Sequence, residues 1–151
     1  MSRSRRRSQP NWNVTLVLER STNIVFVAAA YAVPDPRSGD QVMAAIEVPV
    51  GVEFAELDLG DFLAAQADLG TKGAPRFVRV STALPATGSG KLRRAELKLT
   101  GWHDTDDPVY WWPPEADRRR PAYRLFTEQD RQRLVDGFAA AGRTRFLPRP
   151  A

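Results

Sequence analysis

The chain has 151 residues with a net charge of +4, and hydrophobic residues make up 42% of it. This length fits one ordinary domain and is too short for a complete large enzyme. Cysteine is absent and there is one histidine, which excludes disulfides, thiol catalysis and Cys-ligated metals and argues against a His-rich zinc site or a Ser-His-Asp triad. No apolar run approaches the roughly 20 residues that span a bilayer, so we expect a cytoplasmic protein, with peripheral contact to a membrane left open.

Residues 1–23 are polar and irregular, and we predict a basic, poorly ordered leader. Its charge comes from Arg3, Arg5, Arg6 and Arg7. Such an arm can bind nucleic acid or anionic lipid nonspecifically, or it can be a solvated tail. The aromatic residues of the leader do not alternate with its charges as a stacking platform requires, so we favour the solvated tail.

Three segments are predicted to be strands. Residues 24–33 form a continuous apolar run, and residues 34–39 end it with strong turn chemistry. A second apolar segment covers residues 41–48, and two strands joined by a short turn favour an antiparallel hairpin. Residues 76–80 form a third strand, which is shorter and half polar.

Three helices are predicted. An amphipathic helix covers residues 59–69, with Asp58 as N-cap and Gly70 as the stop signal. A short basic helix covers residues 91–99. Residues 101–120 lack a period and are predicted to be a loop rich in Asp, Pro and Trp. A C-terminal helix begins at a capping box formed by Thr127 and Asp130, and Gly142 ends it. One face of this helix is apolar and consists of Leu134, Val135, Phe138 and Ala141.

One segment carries chemistry, and it lies between the third strand and the basic helix. Gly88 and Gly90 flank Ser89, and Lys91 follows directly. Glycine allows close approach of a ligand to the backbone, and the start of a helix favours an anion. The segment, with Thr87 in the same loop, therefore predicts a site for a phosphate or carboxylate. The alternative is a flexible loop with a solvated lysine.

A nucleotide-binding P-loop also ends in Gly-Lys, but the spacing of this loop does not fit one. That motif needs glycine five positions before Gly90, where this chain has Pro85. It also needs Ser or Thr after the lysine, where this chain has Leu92.

Residues 85–91, Pro-Ala-Thr-Gly-Ser-Gly-Lys, resemble the last core motif of the adenylate-forming acyl-CoA synthetases. In that family a proline, a Thr/Ser-Gly stretch and Gly-Lys precede a basic helix. The resemblance to the family's C-terminal domain covers residues 27–99. Residues 30–36 and 39–42 match its strand–turn–strand, residues 54–69 match its amphipathic helix, and residues 74–80 match the strand before the lysine loop.

The tail gives a narrower resemblance. Residues 102–112 are similar to the extended C-terminus of actinobacterial fatty-acid–CoA ligases, which are related to fatty-acid transport proteins and very-long-chain synthetases. We expect the Trp residues of this segment to pack against a neighbouring large domain rather than to contact a ligand.

The strands and helices predict an α+β fold. The resemblance implies a small three-stranded sheet flanked by helices, as in the C-terminal domain of adenylate-forming enzymes, with an extra C-terminal helix. Residues 24–100 would then form that domain, after the leader of residues 1–23. Residues 101–151 would form the Trp/Pro-rich loop and the added helix.

The resemblance also implies a mechanism. Family enzymes convert ATP and a carboxylic acid into an acyl-adenylate and pyrophosphate, and CoA then displaces AMP to give a thioester. Lys91 would be the catalytic lysine, contacting acyl carboxylate and α-phosphate oxygens. Arg93, Arg94 and Lys98 would contact CoA phosphates, or form a solvated helix face. ATP, Mg and CoA are implied for the complete enzyme, whereas we expect this chain alone to bind no cofactor and no metal.

Two departures from the family pattern bear on function. The Gly-Glu-Asn segment and hinge of the family cannot be recognised in residues 11–15, and the large adenylation domain is missing. We therefore expect the C-terminal catalytic-lysine module of a fatty-acid–CoA ligase, inactive without an adenylation domain in cis or trans, with fatty acyl-adenylate and CoA as substrates. The alternatives are a basic module that binds anions on nucleic acid or a membrane, although no specific nucleic acid is expected, and an inert gene remnant.

Overall fold

A computed structural model describes residues 15–20, 22–54, 59–60, 74–117 and 119–147, with side chains from Ala29 onward. In this part of the chain six strands form one sheet in sequence order. All neighbours are antiparallel except β3 and β4, which are parallel. The strands are β1 Thr15–Arg20, β2 Thr22–Asp35, β3 Gly39–Glu47, β4 Phe77–Ser81, β5 Val109–Trp111 and β6 Arg124–Leu125.

The hairpin of β2 and β3 confirms the predicted strand–turn–strand. The Asp35 carboxylate accepts hydrogen bonds from the backbone N–H groups of Arg37 (2.8 Å) and Ser38 (2.9 Å), which is the turn chemistry that Asp favours. Gly39 then resumes the sheet with φ of +88°, a value that glycine adopts without strain. The α+β class is confirmed, although the sheet has twice the predicted number of strands.

The prediction of an irregular backbone for residues 1–23 was wrong over Thr15–Arg20, which form β1. Its residues pair with the start of β2, from Thr15 opposite Val27 to Arg20 opposite Thr22. A strand of six residues is too short to establish a period, and it forms by pairing with a partner that the local pattern does not show. Arg3, Arg5, Arg6 and Arg7 lie outside the described residues.

Helix α1 covers Arg94–Thr100, so the predicted helix at residues 91–99 was wrong at its start. The backbone before α1 bonds to the lysine loop instead of forming helical hydrogen bonds. Ala86 and Leu92 form a β-bridge, and Arg93 N–H donates to Pro85 C=O at 2.9 Å. The amphipathic helix predicted for residues 59–69 is helical at Leu59 and Gly60, and its remainder lies outside the described residues.

Helix α2, Glu128–Ala140, confirms the predicted capping box. The Thr127 hydroxyl accepts from Asp130 N–H at 3.2 Å, and the Asp130 carboxylate accepts from Thr127 N–H at 2.9 Å. At the other end Gly142 has φ of +66°, and the N–H of the next residue, Arg143, reaches back to Phe138 C=O at 2.8 Å. This is a Schellman ending, so the predicted role of Gly142 is also confirmed.

The loop predicted for residues 101–120 contains β5, and its tryptophans are part of this chain's own core. Trp102, Trp111 and Trp112 are buried. Phe77 lies 6.2 Å from Trp102 and 6.0 Å from Trp111 between ring centroids, and Trp111 lies 5.1 Å from Phe126. The prediction that these tryptophans pack against another domain was therefore wrong. The sheet itself crosses the boundary predicted at residue 100.

The core lies on both faces of the sheet, because successive strand residues point to opposite sides. Phe77 faces one cluster and Val78 faces the other. On the first face α1 contributes Leu97, and α2 contributes Leu134 and Phe138. The loop that joins β4 to α1 is thus held between two packed elements. Within the described ranges no helix is long and apolar enough to cross a bilayer.

Candidate lysine site

The candidate site is the connection between β4 and α1, and its base is fixed to the sheet. The Leu84 side chain is buried in the core, and Leu84 N–H donates to the Glu47 carboxylate at 2.8 Å. Glu47 is the last residue of β3, so this bond joins the loop to a central strand. Ser81 tightens the intervening turn, because its hydroxyl bonds the backbone of Ala83.

The loop itself is closed by its own hydrogen bonds. Beyond the bridge of Ala86 and Leu92, Thr87 N–H donates to Lys91 C=O at 2.8 Å, and Gly90 N–H donates to Thr87 C=O at 2.9 Å. Lys91 N–H donates to the Thr87 hydroxyl at 3.2 Å. Gly90 allows this turn with φ of +83°, in the left-handed region that side chains disfavour.

Lys91 is exposed at the end of this loop. In the part of the chain that the structure describes, no residue forms a hydrogen bond or ion pair with its ammonium group. The backbone of Lys91 is therefore fixed while its charge remains available to a ligand. This arrangement suits electrostatic contact with anionic oxygens.

The two loop hydroxyls and the two glycines lie together around Lys91. The Thr87 and Ser89 hydroxyl oxygens are 3.0 Å apart, and both residues are exposed. A Cβ added at Gly88 or at Gly90 would meet nothing within 4 Å among the described residues. The outer side of the loop is thus open. The structure brings together all five predicted loop residues, and their contact with a ligand stays a prediction.

The predicted contribution of a helix N-terminus was wrong. Helix α1 begins three residues beyond Lys91 and has seven residues. The amides of Arg93 and Arg94 already donate to Pro85 C=O and Leu92 C=O. The positive charge of the site therefore comes from the lysine side chain.

The three basic residues beyond the lysine are exposed. Arg94 and Lys98 lie one helical turn apart on α1. Arg93 pairs with Glu96 at 2.8 Å, and both side chains are about half exposed, so the pair contributes little to stability. The predicted contact of these three residues with CoA phosphates stays a prediction.

Sequence reasoning missed the residues that hold the lysine loop and α1 on the sheet. Besides Glu47, the Arg79 guanidinium on β4 bonds the Asp107 carboxylate (2.8 Å) and the Thr100 hydroxyl at the end of α1 (2.9 Å). Both contacts join residues far apart in sequence. The available signal was a charged residue between two valines of a predicted strand, since such a side chain needs a partner when it is buried.

Burial is the main cause of a pKa shift at three titratable groups, and all three lie outside the lysine loop. It raises the pKa of Tyr31 and of Tyr123, and it lowers the pKa of His103. Within the described ranges no group of three or more His, Asp or Glu side chains could hold a metal ion.

No model of a known protein family matches the chain. Relatives among well-characterised proteins do match it. It is 46% identical over 134 residues to the steroid-22-oyl-CoA synthetase of Rhodococcus jostii RHA1, a match that covers 89% of this chain and 23% of the relative. It is 46% identical over 85 residues to the medium/long-chain-fatty-acid–CoA ligase FadD17 of Mycobacterium marinum, covering 56% and 16% of the two chains. The FadD17 of Mycobacterium tuberculosis is 45% identical over the same number of residues.

These relatives define a class, the ligases that form acyl-CoA thioesters. The chain is similar to acyl-CoA synthetases and matches a C-terminal fragment of them. It spans between 16% and 23% of the length of the relatives it matches. The predicted resemblance to this family is confirmed.

Proposed function

We propose that this chain is the catalytic-lysine module of a fatty-acid–CoA ligase and that Lys91 promotes acyl-adenylate formation when an adenylation domain is present, in cis or in trans. The observation that carries the proposal is the exposed Lys91 ammonium on a loop whose backbone is closed by its own hydrogen bonds. The 46% identity to an acyl-CoA synthetase over 89% of the chain supports the reaction class.

The chemistry explains why the site uses a lysine. A carboxylate oxygen attacks the α-phosphorus of ATP, the bond to the β-phosphate oxygen breaks, and pyrophosphate leaves. Negative oxygens crowd together during this attack, and a preorganised positive charge stabilises that crowding. The role of Lys91 would be electrostatic, through the positive charge of its side chain. The CoA thiolate then attacks the acyl carbon, the bond from that carbon to the AMP phosphate oxygen breaks, and AMP leaves.

The rest of the ligase would supply the remaining parts. ATP, Mg and the carboxylic acid would bind mainly to the adenylation domain, and Lys91 would reach them when that domain docks on the open side of the lysine loop. The relatives are named for fatty acids and for a steroid-22-oyl group. We propose a fatty acid as the substrate of this ligase, with Arg93, Arg94 and Lys98 facing the CoA phosphates in the second step.

The proposal is tested by mixing the chain with the adenylation domain of the Rhodococcus or Mycobacterium relative. Pyrophosphate release in the presence of ATP and the acid reports the first step. We expect the chain to raise the rate of pyrophosphate release. With Lys91→Ala in place of the parent chain we expect that rate to be about 10²–10³-fold lower, the loss typical of one preorganised electrostatic group. Arg133→Ala, which removes an exposed charge on α2, is the matched control. Equal rates with the parent chain and with Lys91→Ala would contradict the role of Lys91.

A further inference from the structure

Thr87 holds both main-chain groups of Lys91. Its N–H donates to Lys91 C=O at 2.8 Å, and its hydroxyl accepts from Lys91 N–H at 3.2 Å. Its own C=O accepts from Gly90 N–H at 2.9 Å. One residue therefore fixes the backbone from which the lysine side chain extends.

The hydroxyl of Thr87 is also engaged inside the loop. A threonine hydroxyl offers one proton and two lone pairs. One lone pair takes the Lys91 N–H, and a further position is shared with the Ser89 hydroxyl at 3.0 Å. Most of the bonding capacity of the Thr87 hydroxyl is thus used before any ligand arrives. This differs from the ligand contact that the sequence predicts for Thr87.

Other contacts hold the two ends of the loop together. The bridge of Ala86 and Leu92 and the bond from Arg93 N–H to Pro85 C=O close its base. Gly90 makes the turn that brings Lys91 N–H back towards Thr87. Between this base and the lysine, the Thr87 hydroxyl is the side-chain contact to the Lys91 backbone.

We propose that Thr87 is a positioning residue, whose hydroxyl fixes the direction in which Lys91 leaves the loop. The inference rests on the proposed function of Lys91. A displacement of about 1 Å at a catalytic group can cost about 10²-fold in rate, so a residue that touches only the lysine backbone can control the reaction.

The first test needs the chain alone. Trypsin cuts after lysine, and the rate of cutting between Lys91 and Leu92, followed by mass spectrometry, reports how firmly the loop is held. Thr87→Val keeps the shape but removes the hydroxyl, and we expect it to speed this cut about five- to tenfold, the effect of losing one hydrogen bond. Thr87→Ser keeps the hydroxyl and should stay near the parent rate. An unchanged rate in Thr87→Val overturns the inference.

The second test measures pyrophosphate release with an adenylation domain present. For Thr87→Val we expect a lower kcat with little change in the KM for ATP, and recovery in Thr87→Ser. A raised KM for ATP or the acid with an unchanged tryptic cut would show that Thr87 contacts ligand, and would overturn the positioning role. Faster cutting in Thr87→Val combined with full activity of Lys91→Ala would overturn the proposed function, while the anchoring of the loop by Thr87 would stand. Equal thermal unfolding of the variants checks that the fold is intact.

Discussion

At the residue scale, the lysine site combines a fixed backbone with an available charge. The motif of residues 85–91 could be found in the sequence because glycine and lysine spacing is a local signal. The way the motif is held could not be found, because Glu47 reaches Leu84 across 37 positions. Thr87 was predicted in the right loop, yet its bonds to the Lys91 backbone depend on the φ angle of Gly90, which a sequence does not state.

Gly90 gives a residue-scale prediction. Its φ of +83° is strained for any side chain, whereas a Cβ there would meet no described atom within 4 Å. Gly90→Ala should therefore cost about 1–2 kcal/mol of unfolding free energy through backbone strain alone. Gly88→Ala in the same loop is the control, because Gly88 is equally open and is not among the positive-φ glycines. Chemical denaturation compares them, and equal losses in both variants would contradict the explanation.

At the element scale, local signals predicted α2 better than α1. The capping box joins residues three positions apart, and the ending at Gly142 joins residues five positions apart, so each signal is local in the sequence. The start of α1 depends on residues 91–93 bonding back to residues 85–87, and helical spacing does not include these contacts. Residues 101–120 lacked a period because β5 has three residues, too few to show alternation.

Asp130 gives an element-scale prediction about pH. The Arg124 guanidinium, at 2.7 and 3.0 Å, holds the pKa of the Asp130 carboxyl well below its usual range, with further help from Thr127. Because the folded pKa is the lower one, the ionised carboxylate stabilises the fold above the ordinary aspartate value of about 3.9. That contribution is lost as pH falls from there towards the folded pKa.

Asp130→Asn tests this contribution. We expect a loss of about 1 kcal/mol at pH 7, since Arg124 is 45% exposed and screened by solvent. The difference from the parent chain should shrink below about pH 4. Asp136→Asn, on the exposed side of α2, is the control. Denaturation curves that differ equally at pH 3 and pH 7 would refute the assignment.

At the scale of the whole molecule, the tail completes the core of the family domain. Strands β5 and β6 extend the same sheet, and Trp102, Trp111 and Phe138 pack in the same cluster as Phe77. The family resemblance covers residues 27–99, so it did not indicate that residues beyond 100 share this core. The aromatic residues in an aperiodic segment were the available signal, but a sequence does not show which partner they pack against.

A chain that ends at Thr100 tests this account of the core. It would lose Trp102, Trp111 and Phe138, and each large core side chain typically stabilises a domain by about 3–5 kcal/mol. Their sum reaches the total stability of about 5–15 kcal/mol that a domain has, so we expect no cooperative unfolding. Leu99→Ala in the full chain, which removes a side chain that is 73% exposed, is the control and should unfold like the parent. Circular dichroism on heating decides, and a cooperative transition at the parent temperature in the shorter chain would contradict the shared core.

The role of Lys91 is tested most directly by measuring the two half-reactions separately, with the chain and an adenylation domain mixed. One assay supplies ATP and fatty acid and follows pyrophosphate, and the other supplies preformed acyl-adenylate with CoA and follows the thioester. We predict that Lys91→Ala slows the first about 10²–10³-fold and leaves the second little changed. Equal slowing of both half-reactions, or of neither, would contradict the assignment of Lys91 to adenylate formation.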